Sequence, residues 1–424
     1  MKIERAGAEV FDRQDPLSAF SGRFLPLDRG AVYLDGHSLG RPTARALARV
    51  SQLIGIDWSG DLVRAWDHWA DLPFEVGDRI GALLGARPGE VVVGDSTSVQ
   101  LYKVVCGVVR AAGIADPVLA VAADEFPTDR YVVQGIADAV GGRVATFEVA
   151  SGEGVDPERL DTFLETTGAT TAVLAAVDFR SGARTDVRAC NEVAARRGTT
   201  IVWDLSHAAG VVPVALGSDG VEAAVGCTYK YLHGGPGSPA FAYVRSDRQQ
   251  AWRQPIWGWW GQRDRFAQRD RFAMGADYAP DDRMRQYAVG TPPVVQLALV
   301  DEGVAVVEAA GIDAIDQKRS LLTGFALDLI EDRLDWLGAR IETPRESGRR
   351  GGHVCFTHSE ASRLCLAARD RGVVTDVRPP DGLRLGLAPL TTSFVDVWDA
   401  IDVFTRLLAS GAHLGHPLDG GRVT

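Results

Sequence analysis

Between residues 90 and 245 short apolar runs alternate with helical stretches, and no other feature limits the fold as much. Strands are expected at 90–93, 117–122, 143–149, 171–178, 199–204, 223–228 and 240–244, with helices at 98–112 and near 131–140. Several of these runs are apolar throughout, as strands buried on both faces require. Such strands joined through helices give an α/β domain with a mostly parallel central sheet and right-handed crossovers. Ligands of such sheets lie beyond the carboxyl ends of the strands. The segments just after each run are therefore the places to look for chemistry.

The rest of the chain reads differently. A length of 424 residues exceeds what one hydrophobic core serves, and long helices at 295–310 and 312–335 precede shorter mixed elements. We expect a large α/β domain over 51–295, a smaller α+β domain over 296–424, and an N-terminal segment, 1–50, that contributes to the smaller one. The Gly-rich end, 411–424, is expected to be a loose tail. The hexapeptide QRDRFA occurs twice in tandem, at 262–267 and 268–273, and reads as a lengthened loop. A net charge of −11 without a basic block argues against a nucleic-acid partner. Residues 1–15 are charged, so neither a signal peptide nor an anchor is expected. No run approaches the roughly 20 apolar residues of a membrane span. Five cysteines (Cys106, Cys190, Cys227, Cys355, Cys365) without a CxxC pair read as reduced thiols of a cytoplasmic protein. The eight histidines include no HExxH, and no metal site is expected.

Two strand ends carry the strongest chemical signal. The run 199–203 ends in Asp204, with His207 three residues on, and 223–228 ends in Tyr229, Lys230 and Tyr231 before Gly234, Gly235 and Gly237. A pyridine-ring cofactor needs such a pair. A carboxylate keeps the ring nitrogen protonated so that it accepts electrons, and a lysine forms an imine and is then freed as a base. Asp95-Ser96-Thr97-Ser98 precedes an apolar helix, where hydroxyls and free N–H groups either cup a phosphate or simply cap the helix. Phe126 and Asp129 follow another strand, placing an aromatic ring and an acid at the same sheet edge. Trp257, Trp259 and Trp260 crowd one segment, consistent with a partly wet site. Arg384 lies in an apolar strand and needs an anionic partner, either a substrate carboxylate or an internal acid.

Taken in collinear order, the sequence resembles kynureninase, a pyridoxal-phosphate (PLP) family of the aspartate-aminotransferase fold type I. The matching blocks are Tyr33-Leu-Asp-Gly-His-Ser-Leu-Gly40, 71–79, 95–103, 125–135, 203–210, 229–237, 258–261, 290–292 and 384–390. The resemblance implies PLP on Lys230, Asp204 at the pyridine nitrogen, His207 orienting that end, Phe126 stacked on the ring and Asp129 beside it. Thr97, Ser98 and Tyr229 would bind the phosphate, with Trp259 and Thr291 reaching it from the other subunit of a homodimer. Arg384 would hold the substrate carboxylate, with His37 also lining the substrate site. Lys230, Tyr229 and Asp129 would take part in catalysis, Tyr229 as a proton donor. The implied reaction is hydrolysis of the Cβ–Cγ bond of L-kynurenine to anthranilate and L-alanine.

Three positions depart from the family pattern. His37 stands where Asn is usual, Gln262 where His is usual, and Thr391 where Tyr is common. They leave open a kynureninase-like hydrolase of a ring-hydroxylated or ring-methylated kynurenine. An aminotransferase or cysteine desulfurase on the same fold, or a PLP-fold binding protein without catalysis, are the more distant alternatives.

Overall fold

The apolar runs form a sheet because successive side chains enter two different cores. In a strand, neighbours point to opposite faces. Val91, Val93, Leu174, Trp203, Phe241 and Tyr243 join one cluster, while Val92, Val173, Val202, Ala242 and Val244 join another across the sheet. The computed structural model describes residues 4–28, 30–263 and 277–418. Residues 264–273 of the tandem hexapeptide lie outside the described residues.

The seven strands are β1 (Val91–Gly94), β2 (Val118–Ala122), β3 (Arg143–Phe147), β4 (Thr171–Ala175), β5 (Thr200–Asp204), β6 (Ala223–Gly226) and β7 (Ala240–Val244). Their spatial order is β1-β7-β6-β5-β4-β2-β3. β7 runs antiparallel to both neighbours, and β2 to β6 pair in parallel. The edge strand β3 exposes Arg143, a charge that discourages pairing with another sheet.

Three strands stop earlier than their apolar runs, each for a reason visible in the following loop. After Gly226 the Cys227 amide turns to the Ser206 hydroxyl (3.1 Å). Beyond Ala175, Asp178 accepts from the amides of Arg180 and Ser181. After Phe147 the chain leaves the sheet without a further ladder partner. The helix expected near 131 starts at Pro127 and runs to Val140, since proline suits the first helical position.

A second sheet is antiparallel and holds β8 (Arg340–Ile341), β9 (His353–Thr357), β10 (Asp376–Arg378) and β11 (Gly382–Gly386) in the order β10-β11-β9-β8. Its core includes Leu322, Leu329, Phe356, Leu385, Phe394 and Phe404, joined by Ala8, Val32 and Leu34 from the beginning of the chain. The helix Val294–Ala310 instead sends Leu297, Val300, Val304 and Val307 into the core of the large sheet. The end of the chain corrects one expectation. Gly411 closes the helix Phe394–Ser410, and a turn at Ala412–Gly415 buries His413 with Nδ1 2.9 Å from the Leu407 carbonyl. Residues 411–416 are thus tied down, by the buried His413 and by Arg363 Nε, which donates to the His416 carbonyl (2.8 Å); 419–424 lie outside the described residues.

Candidate active site

β5 ends in Asp204 and the loop after β6 carries Lys230, so both emerge at the carboxyl edge of the large sheet. Asp204 Oδ1 accepts from the Ser206 amide (2.7 Å), which turns the chain toward His207. Lys230 Nζ lies 2.9 Å from His207 Nε2. Burial, then the charge of Lys230, pushes His207 well below its usual range, so the ring is neutral. Asp129 is buried and its Oδ2 has no hydrogen-bond partner. Burial, then the charges of Asp204 and Glu125, raises the Asp129 carboxyl strongly. Two facing buried carboxyls beside a lysine form a place for a cationic N–H group.

Tyr229 precedes Lys230 and lies with the lysine ammonium 6.0 Å from its ring centre. The neighbouring Cys227 thiol, and then burial, push the phenol up, so it stays protonated through the neutral range. The backbone of this loop is pinned from outside. The Gly40 amide donates to the Tyr229 carbonyl (2.7 Å), bringing the segment 33–40 onto the lysine loop.

That same segment delivers His37. A second polar group extends from Lys230 through three buried rings: His207 to His353, 5.2 Å between centres, and His353 stacked on His37 at 4.9 Å. Beyond His37 stands Arg384, nearly inaccessible, with Nε 2.8 Å from Asp376 Oδ1 and Nη2 against Asp376 Oδ2. Its Nη1 donates to the Phe179 carbonyl. Of the two partners expected for Arg384, the structure supplies the internal one, Asp376. Asp35, His37 and Asp376 come close enough to share a cation, and the cations present are Arg384 and Arg378, the latter 3.1 Å from Asp376.

Thr97 and Ser98 begin the helix Thr97–Ala112, with Ser96 as its cap, accepting from the Val99 amide. The first turn of a 16-residue helix offers unpaired N–H groups to an anion. Asp95 just before it is turned aside by Lys103, whose Nζ lies 2.7 Å away and is fully buried. Phe126 is 40% exposed, its ring open on one side and in edge contact with Phe179 at 5.3 Å. Trp259 and Thr291 gather elsewhere, around paired loops in which the Trp260 amide donates to the Val289 carbonyl (3.3 Å), and Thr291 is exposed. Of the other two tryptophans, Trp260 is buried and Trp257 is exposed, stacked on Tyr278. Gln262 Oε1 accepts from the Ala279 amide (2.9 Å), so this side chain fastens its own loop.

A family model described as kynureninase C-terminal domain matches residues 315–404. Kynureninase of Pseudomonas fluorescens is 37% identical over 404 residues, covering 94% of each chain. The chain belongs to the kynureninase family. Kynureninase of Burkholderia pseudomallei (strain 1106a) is likewise 37% identical over 413 residues, 96% of each chain. Among solved structures, apo cysteine desulfurase from Thermococcus onnurineus NA1 has a TM-score of 0.79 at 16% identity, covering 92% of this chain and 98% of that one. The cysteine desulfurase CsdA from Escherichia coli gives 0.78 at 15% identity, covering 93% and 98%. At those identities the likeness concerns the fold, which is fold type I of the PLP enzymes. The cysteines do not extend it to chemistry. Four are buried, Cys365 is half-buried on the helix Ala361–Arg369, and burial followed by Glu342 pushes the Cys355 thiol well up.

Proposed function

We propose that this protein is a PLP-dependent hydrolase that cleaves the Cβ–Cγ bond of L-kynurenine, releasing anthranilate and L-alanine. The observation that carries the reading is the continuous polar wall from Lys230 to Arg384, in a chain that matches kynureninases along nearly its whole length. Its residues also fit the cofactor. Asp129 and Asp204 are a buried acidic pair beside Lys230, Asp129 Oδ2 and His207 Nδ1 have no hydrogen-bond partner, and a helix N-terminus stands ready for phosphate.

When bound, PLP supplies an electron sink for carbanions next to the substrate nitrogen. The protein's own groups then have separate tasks. Asp204, backed by Asp129, holds the ring N–H; Thr97, Ser98 and Tyr229 hold the phosphate; Phe126 covers a ring face. Lys230 carries protons between substrate atoms, and neutral His207 takes the hydrogen bond that fixes its Nζ. Tyr229, protonated at neutral pH, gives a proton to the carbon left when the bond breaks. Arg384 grips the α-carboxylate, and His37 stands buried behind its partner Asp376. Most of the rate enhancement falls to orientation and fixed dipoles.

We read the enzyme as a cytoplasmic homodimer. Exposed apolar side chains crowd the stretch from Leu47 to Val63, including Ile56, Trp58 and Leu62, a patch that a second copy would cover. In that dimer Trp259 and Thr291 complete the partner's phosphate cup. No helix among the described residues is long and apolar enough to cross a membrane. The test of the activity is direct. PLP-loaded protein is mixed with L-kynurenine and, separately, 3-hydroxy-L-kynurenine, and aryl product and alanine are followed. Anthranilate and alanine in equal amounts are expected. The departures at His37, Gln262 and Thr391 leave a second reading, a ring-modified kynurenine. Cofactor spectral change without cleavage of either compound would move the assignment to it.

A further inference from the structure

The hairpin of β10 and β11 sets Asp376 directly across from Arg384. Asp376 therefore takes the Nε edge of the guanidinium, leaving its other end against two neutral oxygens, the Phe179 carbonyl and, at 3.4 Å, the Ser38 hydroxyl. An incoming carboxylate displaces neutral groups there, while the internal acid keeps the arginine in place. Behind Asp376 stands His37, fully buried, with Nε2 3.4 Å from Asp376 Oδ1 and Nδ1 3.3 Å from Asp35 Oδ1. These separations are long, and neither ring nitrogen makes a well-formed hydrogen bond. Gly386 makes the seat possible, because a Cβ there would fall 2.0 Å from His37 Nδ1.

We infer that Asp35, His37 and Asp376 are positioning residues that share one proton and thereby set how firmly Arg384 grips the substrate carboxylate. This rests on the reading of Arg384 given under Proposed function. A neutral imidazole between two carboxyls donates to one of them, and its other nitrogen is matched when the second carboxyl is protonated and donates to it. Burial, then the charge of Arg384, lowers His37 to about 3, so it is neutral with a single N–H. Burial, then Asp376, raises Asp35 to about 6. Burial pulls Asp376 upward, but hydrogen bonds from His37 and Arg384 outweigh it and hold that carboxyl well below the usual range. Below about pH 6 the proton thus sits on Asp35 facing His37 Nδ1 at 3.3 Å, and the Nε2 N–H faces Asp376 at 3.4 Å.

Several other groups face this trio. Ser38 hydrogen-bonds Asp35 on its own segment, and Tyr33 and Tyr231 lie within electrostatic reach of it. Arg378 on β10, Arg384 on β11, Cys365 on the helix Ala361–Arg369, Lys230, His207 and the stacked His353 also surround it. Once Asp35 ionises, the site gains a negative charge near Arg384 and His37 Nδ1 loses its donor, so a carboxylate faces the ring's lone pair and the trio's hold on Asp376 loosens. Carboxylate affinity then falls as pH rises through about 6, and by linkage a bound carboxylate raises Asp35 further.

The test measures binding of L-alanine and of L-alaninamide to the holoenzyme by calorimetry between about pH 5 and 7. Their affinity ratio isolates the carboxylate. The wild-type ratio is expected to fall about five- to tenfold over this range, in line with ordinary coupling between sites. Asp35→Asn should flatten the profile. His37→Asn should lower the ratio and raise KM more than it changes kcat. A wild-type ratio that favours alanine but stays flat overturns the shared proton without any variant, and so does an unflattened Asp35→Asn profile. A wild-type protein that does not prefer alanine over alaninamide at any pH refutes the Arg384 reading instead.

Discussion

Gly40 is the position where one methyl group should separate folding from catalysis. A Cβ built there falls 2.2 Å from the Lys230 carbonyl oxygen and 3.1 Å from the His233 Cα, with His233 Nδ1 at 2.7 Å. Real Cβ atoms essentially never approach within 3.0 Å, so the Gly40→Ala side chain lies about 0.8 Å too close to backbone that cannot rotate away. The carbonyl belongs to Lys230 itself, and the neighbouring Tyr229 carbonyl is held by the Gly40 amide. The lysine loop must therefore shift by nearly 1 Å. A misplacement of that size costs on the order of 100-fold in rate, and overpacking costs about 1–3 kcal/mol of stability. The assay is kcat on L-kynurenine, with the cofactor absorption band and thermal unfolding followed in parallel. Gly7→Ala, in the open helix Arg5–Gln14, serves as the control because nothing lies within 4 Å of its Cβ. A Gly40→Ala enzyme within twofold of wild-type kcat, with its cofactor band intact, would refute the claim that Gly40 sets the lysine loop.

Other perturbations probe separate parts of the site. Lys230→Ala should abolish turnover while far-ultraviolet circular dichroism stays at the wild-type value; residual full activity would end the account of a lysine-borne cofactor. Tyr229→Phe should lower kcat by about 100-fold or more, as loss of a general acid does, with cofactor content as the check that phosphate binding survives. Glu125 is buried and pushed up to about 8 by that burial. A raised carboxyl favours the fold while protonated, and this contribution disappears as pH climbs through that value. The unfolding midpoint should accordingly drop from about pH 5 to pH 8 in the wild type and level off above 8, and Glu125→Gln should remove the slope.

The large sheet was readable because its strands announce themselves twice, as apolar runs and as alternation between two cores. Lys230 and Asp204 were readable for a related reason. Topology carries the ends of neighbouring parallel strands to one edge, so residues just past them converge without knowledge of loop geometry. Asp35 and His353 escaped notice because their proximity depends on contacts between the small sheet, the N-terminal segment and the lysine loop, which no local period encodes. Asp35 touches β11 through a bridge to Gly386, and His353 enters from β9.

Asp376 is different, since its signal was present. Pro379-Pro380-Asp381-Gly382 reads as a turn, and positions 376 and 384 are equally far from its centre at Pro380. Cross-strand pairing then requires Asp376 opposite Arg384, and an acid opposite an arginine in a buried hairpin is the internal partner the arginine needs. Hairpin symmetry alone would thus have chosen between the two partners left open for Arg384. It also shows why the choice is not exclusive. A guanidinium has two edges, and a partner fixed by strand register on one leaves the other aimed, without searching, at whatever carboxylate enters the site.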